Sequence, residues 1–141
     1  MNPKSDYTIY TDGGARGNPG PAAYGFVIYD SDHKLLCEEG KNLGVQTNNF
    51  AEYSGIVAGL KWIERKSDIK NPIVQVFLDS QLAVMQLTGA WKIKNENLRD
   101  FFYTIKELEQ KISGKVSYSH VRREQNQEAD HLVNLALDAL I

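Results

Sequence analysis

Four acidic residues, Asp12, Glu52, Asp79 and Asp130, stand where the chain could assemble a metal site. Asp12 and Asp79 each end a run of strand-forming residues, and open α/β sheets usually bind ligands at the carboxyl ends of their strands. Carboxylates that converge at such a place repel one another, which raises the pKa of one or more of them. Cations relieve this repulsion, and Mg²⁺ is suited to the task because it takes oxygen ligands and keeps several waters.

Each acid also has an ordinary structural explanation. Asp79 directly precedes a predicted helix, where aspartate is a good N-cap residue. Glu52 fits as a first-turn acid that the helix dipole favours, and Asp130 fits as a solvated charge beside an apolar stripe. Taken singly, each of these explanations is enough to account for its acid. What favours a metal site is that all four acids are predicted to point toward one crevice.

The loop after Asp12 is rich in glycine and proline, from Gly13 to Pro21. Glycine lets a ligand approach the main chain closely. The same residue types are typical of an ordinary surface turn, and in isolation the stretch favours that interpretation. Together with the other acids, it predicts a loop that places Asp12 and offers bare backbone to a ligand.

Hydrophobic periodicity predicts the elements that position these acids. The predicted strands cover residues 7–12, 22–30, 35–45, 73–78 and 115–120, and the predicted helices cover 49–66, 80–91, 96–112 and a segment from about 126. The order βββαβααβα predicts a single α/β domain over residues 1–141, with a five-stranded mixed sheet flanked by helices. The first three strands form an antiparallel meander because their connections are short.

Two packing predictions concern the helices. Gly55 and Gly59 share a helical face with Glu52, so we expect this face to press on the sheet and hold Glu52 over it. Trp91 is predicted to belong to the core, and Leu140 to the apolar stripe of the last helix.

The composition bounds the class of protein. The chain has 141 residues, 42% hydrophobic and 24% charged, with a net charge of -2 and one cysteine, Cys37. These values are typical of a globular protein, and no apolar run approaches the roughly 20 residues that span a bilayer. We expect a cytoplasmic monomer that binds no membrane. The charge argues against a basic nucleic-acid coat protein, although bound cations would reverse its sign locally.

Four motifs in order closely resemble the ribonuclease H family, type 1, over nearly the whole chain. The motifs are Tyr10-Thr11-Asp12-Gly13-Gly14 with Gly17-Asn18-Pro19-Gly20-Pro21, Asn48-Asn49-Phe50-Ala51-Glu52, Leu78-Asp79-Ser80-Gln81 and Asn126-Gln127-Glu128-Ala129-Asp130. The resemblance implies a ribonuclease H-like fold. The family's four catalytic carboxylates fall on Asp12, Glu52, Asp79 and Asp130.

This resemblance also implies an activity. The family cuts the RNA strand of RNA/DNA hybrids and leaves 5′-phosphate and 3′-hydroxyl ends. We expect two Mg²⁺ ions, with Mn²⁺ as a substitute, held by the four carboxylates and bridged by Asp12. Double-stranded RNA stays open as a second substrate.

Substrate contacts are implied by similarity to the family. Asparagine and glutamine amides suit the 2′-hydroxyls that distinguish RNA from DNA, because an amide both donates and accepts hydrogen bonds. Helix capping is an alternative role for the Asn48-Asn49 pair, and a free surface charge is an equal alternative for Arg16. The predicted substrate-binding residues are Gly13, Gly14, Arg16, Asn18, Asn48, Asn49 and Gln81.

The chain departs from the family in two places. Many relatives carry a histidine in the loop before the last aspartate, whereas residues 121–125 contain none. We expect Arg123 or Glu124 to assist proton transfer or product release, with a solvated loop charge as the alternative. A basic helix found in several bacterial relatives is also missing between the two middle helices, which predicts weaker hybrid binding with a shallow salt dependence.

Three other functions are compatible with parts of the sequence. A catalytically silent nucleic-acid-binding module would not need all four acids. A 3′–5′ exonuclease on the same fold would carry a glutamate where Gly14 stands. A segment of a larger enzyme is the third alternative, and a free-standing enzyme is the expectation preferred here.

Overall fold

The computed structural model describes residues 5–139, in which five strands form one sheet. The strands are β1 (Tyr7–Ala15), β2 (Gly20–Asp30), β3 (Leu35–Gln46), β4 (Ile73–Leu78) and β5 (Lys115–His120). Their order across the sheet is β3-β2-β1-β4-β5. β1, β2 and β3 pair antiparallel, whereas β4 pairs parallel with both β1 and β5. The predicted mixed sheet and its antiparallel meander are confirmed.

Helices cover both faces of this sheet. They are α1 (Asn48–Lys66), α2 (Gln81–Leu87), α3 (Glu96–Ile112) and α4 (Gln127–Leu137). α1 lies against the face that carries Tyr24, and α4 lies against the opposite face at Gly25. Successive residues of a strand point to opposite faces, so β2 is covered on both sides. The main core fills the space between the sheet, α1 and α3.

The packing of α1 on the sheet depends on two glycines, as predicted. A Cβ on Gly55 would lie 2.6 Å from Thr11 Oγ1, and one on Gly59 would lie 3.3 Å from Ile9 Cγ2. Both glycines are buried. The close approach brings the face of α1 that carries Glu52 down onto β1.

α2 is shorter than predicted, and Trp91 lies outside the core. The helix ends at Leu87, and Gly89 adopts a left-handed conformation with φ of 84°. The Thr88 hydroxyl donates to the carbonyl of Val84 at 2.9 Å, which satisfies a carbonyl of the last turn. The chain therefore leaves the helix before Trp91, whose side chain is 45% exposed, and the core prediction for it is wrong.

A short 3₁₀ turn over Arg123–Gln125 joins β5 to α4. Periodicity did not predict it because a single turn is too short to show a repeat. Leu140 lies outside the described residues. Across residues 5–139 the helices are all too short or too polar to cross a membrane.

Candidate active site

Asp12 lies on the central strand β1, one residue beyond the end of its pairing with β4. Thr11 pairs with Leu78, the last residue of β4, and Asp12 is the next residue along β1. Its side chain is only 7% exposed. The amide of Gly13 donates to Asp12 Oδ1 at 2.9 Å and to Glu52 Oε2 at 3.1 Å. One backbone N–H therefore ties two carboxylates together.

Glu52 reaches this point because Gly13 has no side chain. A Cβ on Gly13 would lie 2.3 Å from the carbonyl carbon of Ala51 and 2.4 Å from the nitrogen of Glu52, so only glycine permits the contact. The first turn of α1 contains no acid, and Glu52 is 5% exposed. The alternative of a first-turn acid favoured by the helix dipole is thus wrong for Glu52.

Asp79 follows β4 directly and stays free of a capping role. Ser80 is the N-cap of α2, because its hydroxyl accepts from the amide of Ala83 at 3.2 Å. The N-cap explanation of Asp79 is therefore wrong. One carboxylate oxygen from each of Asp12, Glu52 and Asp79 lies within 4.8 Å of the others.

Asp130 lines the same cleft from α4, which covers the other face of the sheet. Its side chain is half-buried, and Arg123 Nη2 lies 3.7 Å from its Oδ1. Its negative charge acts on Asp12. The cleft has a volume of about 740 Å³ and contains all four predicted carboxylates, three of them in a tight group.

Burial and mutual repulsion raise the pKa values of two acids of the tight group, Asp12 and Glu52. Burial, followed by the charges of Asp79 and Asp130, raises the pKa of Asp12 from 3.8 to about 8. Burial, followed by the charges of Asp12 and Asp79, raises the pKa of Glu52 well above its usual value. Glu52 Oε1 is also buried without a hydrogen-bond partner among the described residues. A hard divalent cation fits these residues, since it would satisfy the orphaned oxygen and offset the repulsion.

Two of the predicted substrate residues hold the glycine loop to α1. Asn18 Oδ1 accepts from the amide of Asn48 at 3.0 Å, and Asn48 Oδ1 accepts from the amide of Ala15 at 2.8 Å. The cap of α1 is Thr47, whose hydroxyl accepts from the amide of Phe50 at 3.1 Å. Capping by the asparagine pair is therefore wrong, and α1 begins one residue earlier than predicted.

The other predicted substrate residues differ in their surroundings. Arg16 lines the cleft, but its Nη1 lies 2.7 Å from Asp138 Oδ1 on the segment after α4. Gly14 and Asn49 also line the cleft. The side chain of Gln81 is exposed in the first turn of α2, beside the cleft residue Ser80.

The two residues predicted to assist catalysis from the loop before Asp130, Arg123 and Glu124, line different cavities. Arg123 lines the catalytic cleft, whereas Glu124 lines a different cavity of about 250 Å³ together with Tyr10 and Tyr29. Glu124 is therefore not among the residues that line the catalytic cleft. Of the two residues, Arg123 is the one that lies beside the carboxylates, 3.7 Å from Asp130.

Asn126 is a structural residue of the site that sequence reasoning passed over. Its side chain is 1% exposed, and Nδ2 donates to the carbonyl of Thr11 at 2.9 Å. The main-chain carbonyl of Asn126 accepts from the amide of Asp130 at 3.1 Å. Asn126 therefore joins the strand that carries Asp12 to the helix that carries Asp130. The available signal was its place at the start of the last motif.

Comparisons with known proteins agree with this geometry. A family described as reverse transcriptase-like matches residues 10–136. Ribonuclease HI of Halobacterium salinarum is 41% identical over 131 residues, which are 92% of this chain and 63% of that protein. LC11-RNase H1, isolated from compost by a metagenomic approach, superimposes with a TM-score of 0.90 at 39% identity, covering 96% of this chain and 98% of that one. The chain belongs to the ribonuclease H type 1 family.

A second structure of LC11-RNase H1 and a mycobacterial relative extend the comparison within the ribonuclease H family. A structure of LC11-RNase H1 in complex with an RNA/DNA hybrid matches with a TM-score of 0.86 at 38% identity, over 95% of this chain and 98% of that one. The bifunctional protein Rv2228c of Mycobacterium tuberculosis is 39% identical over 132 residues, or 93% of this chain. The chain spans 35% of the length of that mycobacterial protein.

Proposed function

We propose that this chain is an endonuclease that hydrolyses the RNA strand of RNA/DNA hybrids and leaves 5′-phosphate and 3′-hydroxyl ends. The observation that carries the proposal is the convergence of Asp12, Glu52 and Asp79 in a cleft that Asp130 also lines. Membership of the ribonuclease H family supports the reaction, and the hybrid bound by LC11-RNase H1 supports the substrate class.

The four carboxylates would hold two Mg²⁺ ions, or Mn²⁺ in their place. Asp12 would contribute to holding these ions as the central member of the cluster, because the charges of both Asp79 and Asp130 act on its carboxyl group. When bound, two such ions supply the activation of water and the stabilisation of the leaving oxygen. No nucleophilic side chain of the protein is needed.

The chain's own residues would position the RNA strand. Asn49 and Gln81 are exposed, and neither side chain has a hydrogen-bond partner within residues 5–139. Both are therefore available for the 2′-hydroxyls of RNA. Asn18 and Asn48 would act mainly by fixing the loop from which Gly14 presents its backbone.

Arg123 would take part in product release. It lies 3.7 Å from Asp130, and its side chain is 80% exposed, so it can exchange this carboxylate for a phosphate without a large desolvation cost. Arginine suits this role because its guanidinium binds phosphate in a bidentate manner.

The test is cleavage of labelled RNA/DNA, RNA/RNA and DNA/DNA duplexes with Mg²⁺, Mn²⁺ or EDTA, followed by analysis of the product ends. We expect metal-dependent cutting within the RNA strand of the hybrid, including a hybrid whose strand ends are all blocked. Asp12→Asn should abolish it, and Asp100→Asn, which changes an exposed acid on α3, should not. Cutting that requires a free end would assign an exonuclease, and binding without cutting would assign a silent module.

A further inference from the structure

A second groove runs along α1, on the side that faces the edge strand β3. Its volume is about 420 Å³, and it shares no lining residue with the catalytic cleft. Side chains of β2, α1 and α3 make an aromatic wall that includes Tyr24, Trp62 and Phe101. We refer to this surface as the α1 groove.

The α1 groove concentrates positive charge in a chain whose net charge is -2. Four cations line it, and Glu39 is its one acid. All four cations are exposed, and none has a hydrogen-bond or ion-pair partner among residues 5–139 for its side chain. The cations are Lys41, Lys61, Arg65 and Lys66. Unpaired cations of this density favour a polyanionic ligand.

The α1 groove begins close to the catalytic cleft. Asn49, in the first turn of α1, lines the cleft, and Ser54, just over one turn later, lines the α1 groove. Phe50 bridges the interval, since its ring packs edge-on against Phe101 with centroids 5.0 Å apart. From Ser54 to Lys66 the helix rises roughly 18 Å, at about 1.5 Å per residue. Anionic groups repeated along a chain could therefore leave the cleft and follow α1.

We propose that the α1 groove binds a single-stranded extension of a nucleic acid whose duplex part occupies the catalytic cleft. Lys61 and Arg65, one turn apart, would meet successive phosphates, and Trp62 and Phe101 would contact bases. Cationic grooves with interleaved aromatic side chains bind single strands in this way without sequence preference. The proposal rests on the proposed function, because the hybrid supplies the extension.

An acidic peptide is the competing ligand for the same charges. The nucleic acid is favoured because Lys61 and Arg65 lie one turn apart along α1, roughly 6 Å of helix rise, so they can meet phosphates that repeat along a strand. It is also favoured because the α1 groove begins at Ser54, just over one helical turn after the cleft residue Asn49.

The test compares a short blunt hybrid, the same hybrid with a single-stranded DNA extension, and the single strand alone. Binding is measured by fluorescence anisotropy across a salt series in the Asp12→Asn background. We expect the extension to tighten binding about tenfold. Lys61→Glu with Arg65→Glu should remove this gain and lower the log–log salt slope by about 1.4, or about 0.7 for each of two single-strand phosphates. Lys61→Gln with Arg65→Gln, which is milder, should remove part of the gain.

Lys34→Glu with Lys115→Glu is the matched control, because it makes the same charge change at exposed lysines outside the α1 groove. It should keep the gain, and both pairs of substitutions, when made with Asp12 intact, should cleave the blunt hybrid at the wild-type rate. Equal affinity for the blunt and extended hybrids would overturn the proposal, as would equal losses in the two pairs. Displacement of a labelled acidic peptide from the α1 groove, with no effect of the extension, would also overturn it. Absence of hybrid cleavage together with groove-dependent binding of the single strand would instead overturn the proposed function and support the α1 groove.

Discussion

At the scale of the residue, the catalytic cleft places buried acids against one another at a cost to stability. Asp12 has a pKa raised from 3.8 to about 8, so its native carboxyl group holds a proton at pH 7 that the unfolded chain releases. The slope of unfolding free energy with pH has the sign of the protons bound in the unfolded state minus those bound in the native state. For Asp12 this difference is negative between the two pKa values, so its contribution to stability falls as pH rises.

Asp12→Asn should therefore stabilise the metal-free protein. We expect its melting temperature in EDTA at pH 7 to exceed that of the wild type by several degrees, and its stability to fall less steeply between about pH 4 and pH 8. Mg²⁺ should raise the melting temperature of the wild type and not that of the variant, since a ligand that binds only the native state stabilises it. Thermal unfolding with EDTA or Mg²⁺ measures both effects. A variant with the wild-type pH slope would show that Asp12 is not the group responsible, and Asp100→Asn serves as the control.

Gly13→Ala should damage stability because the new methyl group would meet backbone 2.3 Å away, at the carbonyl carbon of Ala51. Backbone cannot rotate aside, so we expect a loss of about 1–3 kcal/mol or more in the free energy of unfolding. Gly14→Ala is the matched control, because a Cβ there has no neighbouring atom within 4 Å. Urea denaturation compares the two variants. Equal losses would argue against the close approach of β1 and α1.

Arg123→Ala should lower the turnover rate several-fold with a smaller effect on KM, because Arg123 lines the cleft beside Asp130. Glu124→Ala should leave both parameters unchanged, since Glu124 lines a separate cavity. Steady-state kinetics on a hybrid substrate separates the two residues. Unchanged turnover in Arg123→Ala would leave its charge as an ordinary solvated one.

At the scale of the element, three of the four acids are brought together by contacts between β1, α1 and α4. β1 supplies Asp12, α1 supplies Glu52 through the contact at Gly13, and α4 supplies Asp130 across the sheet. Asn126 connects the first and the last of these through the carbonyl of Thr11.

Asn126→Ala should uncouple α4 from β1. The buried carbonyl of Thr11 would lose its donor, which we expect to cost about 1–3 kcal/mol of unfolding free energy. Because Asp130 would be held less firmly, the Mg²⁺ concentration for half-maximal activity should rise more than KM for the hybrid. Chemical denaturation and a Mg²⁺ titration, with calorimetry of Mn²⁺ binding as a readout apart from activity, measure these effects. A loss of stability with unchanged metal binding would limit Asn126 to a purely structural role.

Periodicity predicted most elements because the apolar stripes of α1 and α3 and the alternation of β4 and β5 are local patterns. It failed for α2, where Thr88 and Gly89 end the helix through backbone geometry that carries no apolar signal. The roles of Asn18, Asn48 and Asn126 could not be predicted either. Their partners lie far away in sequence, and only the folded chain brings them together.

At the scale of the whole molecule, α1 connects two surfaces. Its first turn faces the catalytic cleft, and its later turns line the α1 groove with unpaired cations. The order and spacing of the four motifs predicted the four carboxylates through the resemblance to the ribonuclease H family, although β1 runs on past Asp12 to Ala15. The α1 groove draws cations from two distant segments, so spacing along the chain does not reveal it.

Cleavage of an end-blocked RNA/DNA hybrid by wild type and by Asp12→Asn, at saturating Mg²⁺, tests the central claim most directly. The expected result is internal cutting of the RNA strand by the wild type, with 5′-phosphate products, and none by the folded variant. Cutting that survives in Asp12→Asn, or that proceeds in EDTA, would contradict a metal site built on Asp12, Glu52 and Asp79.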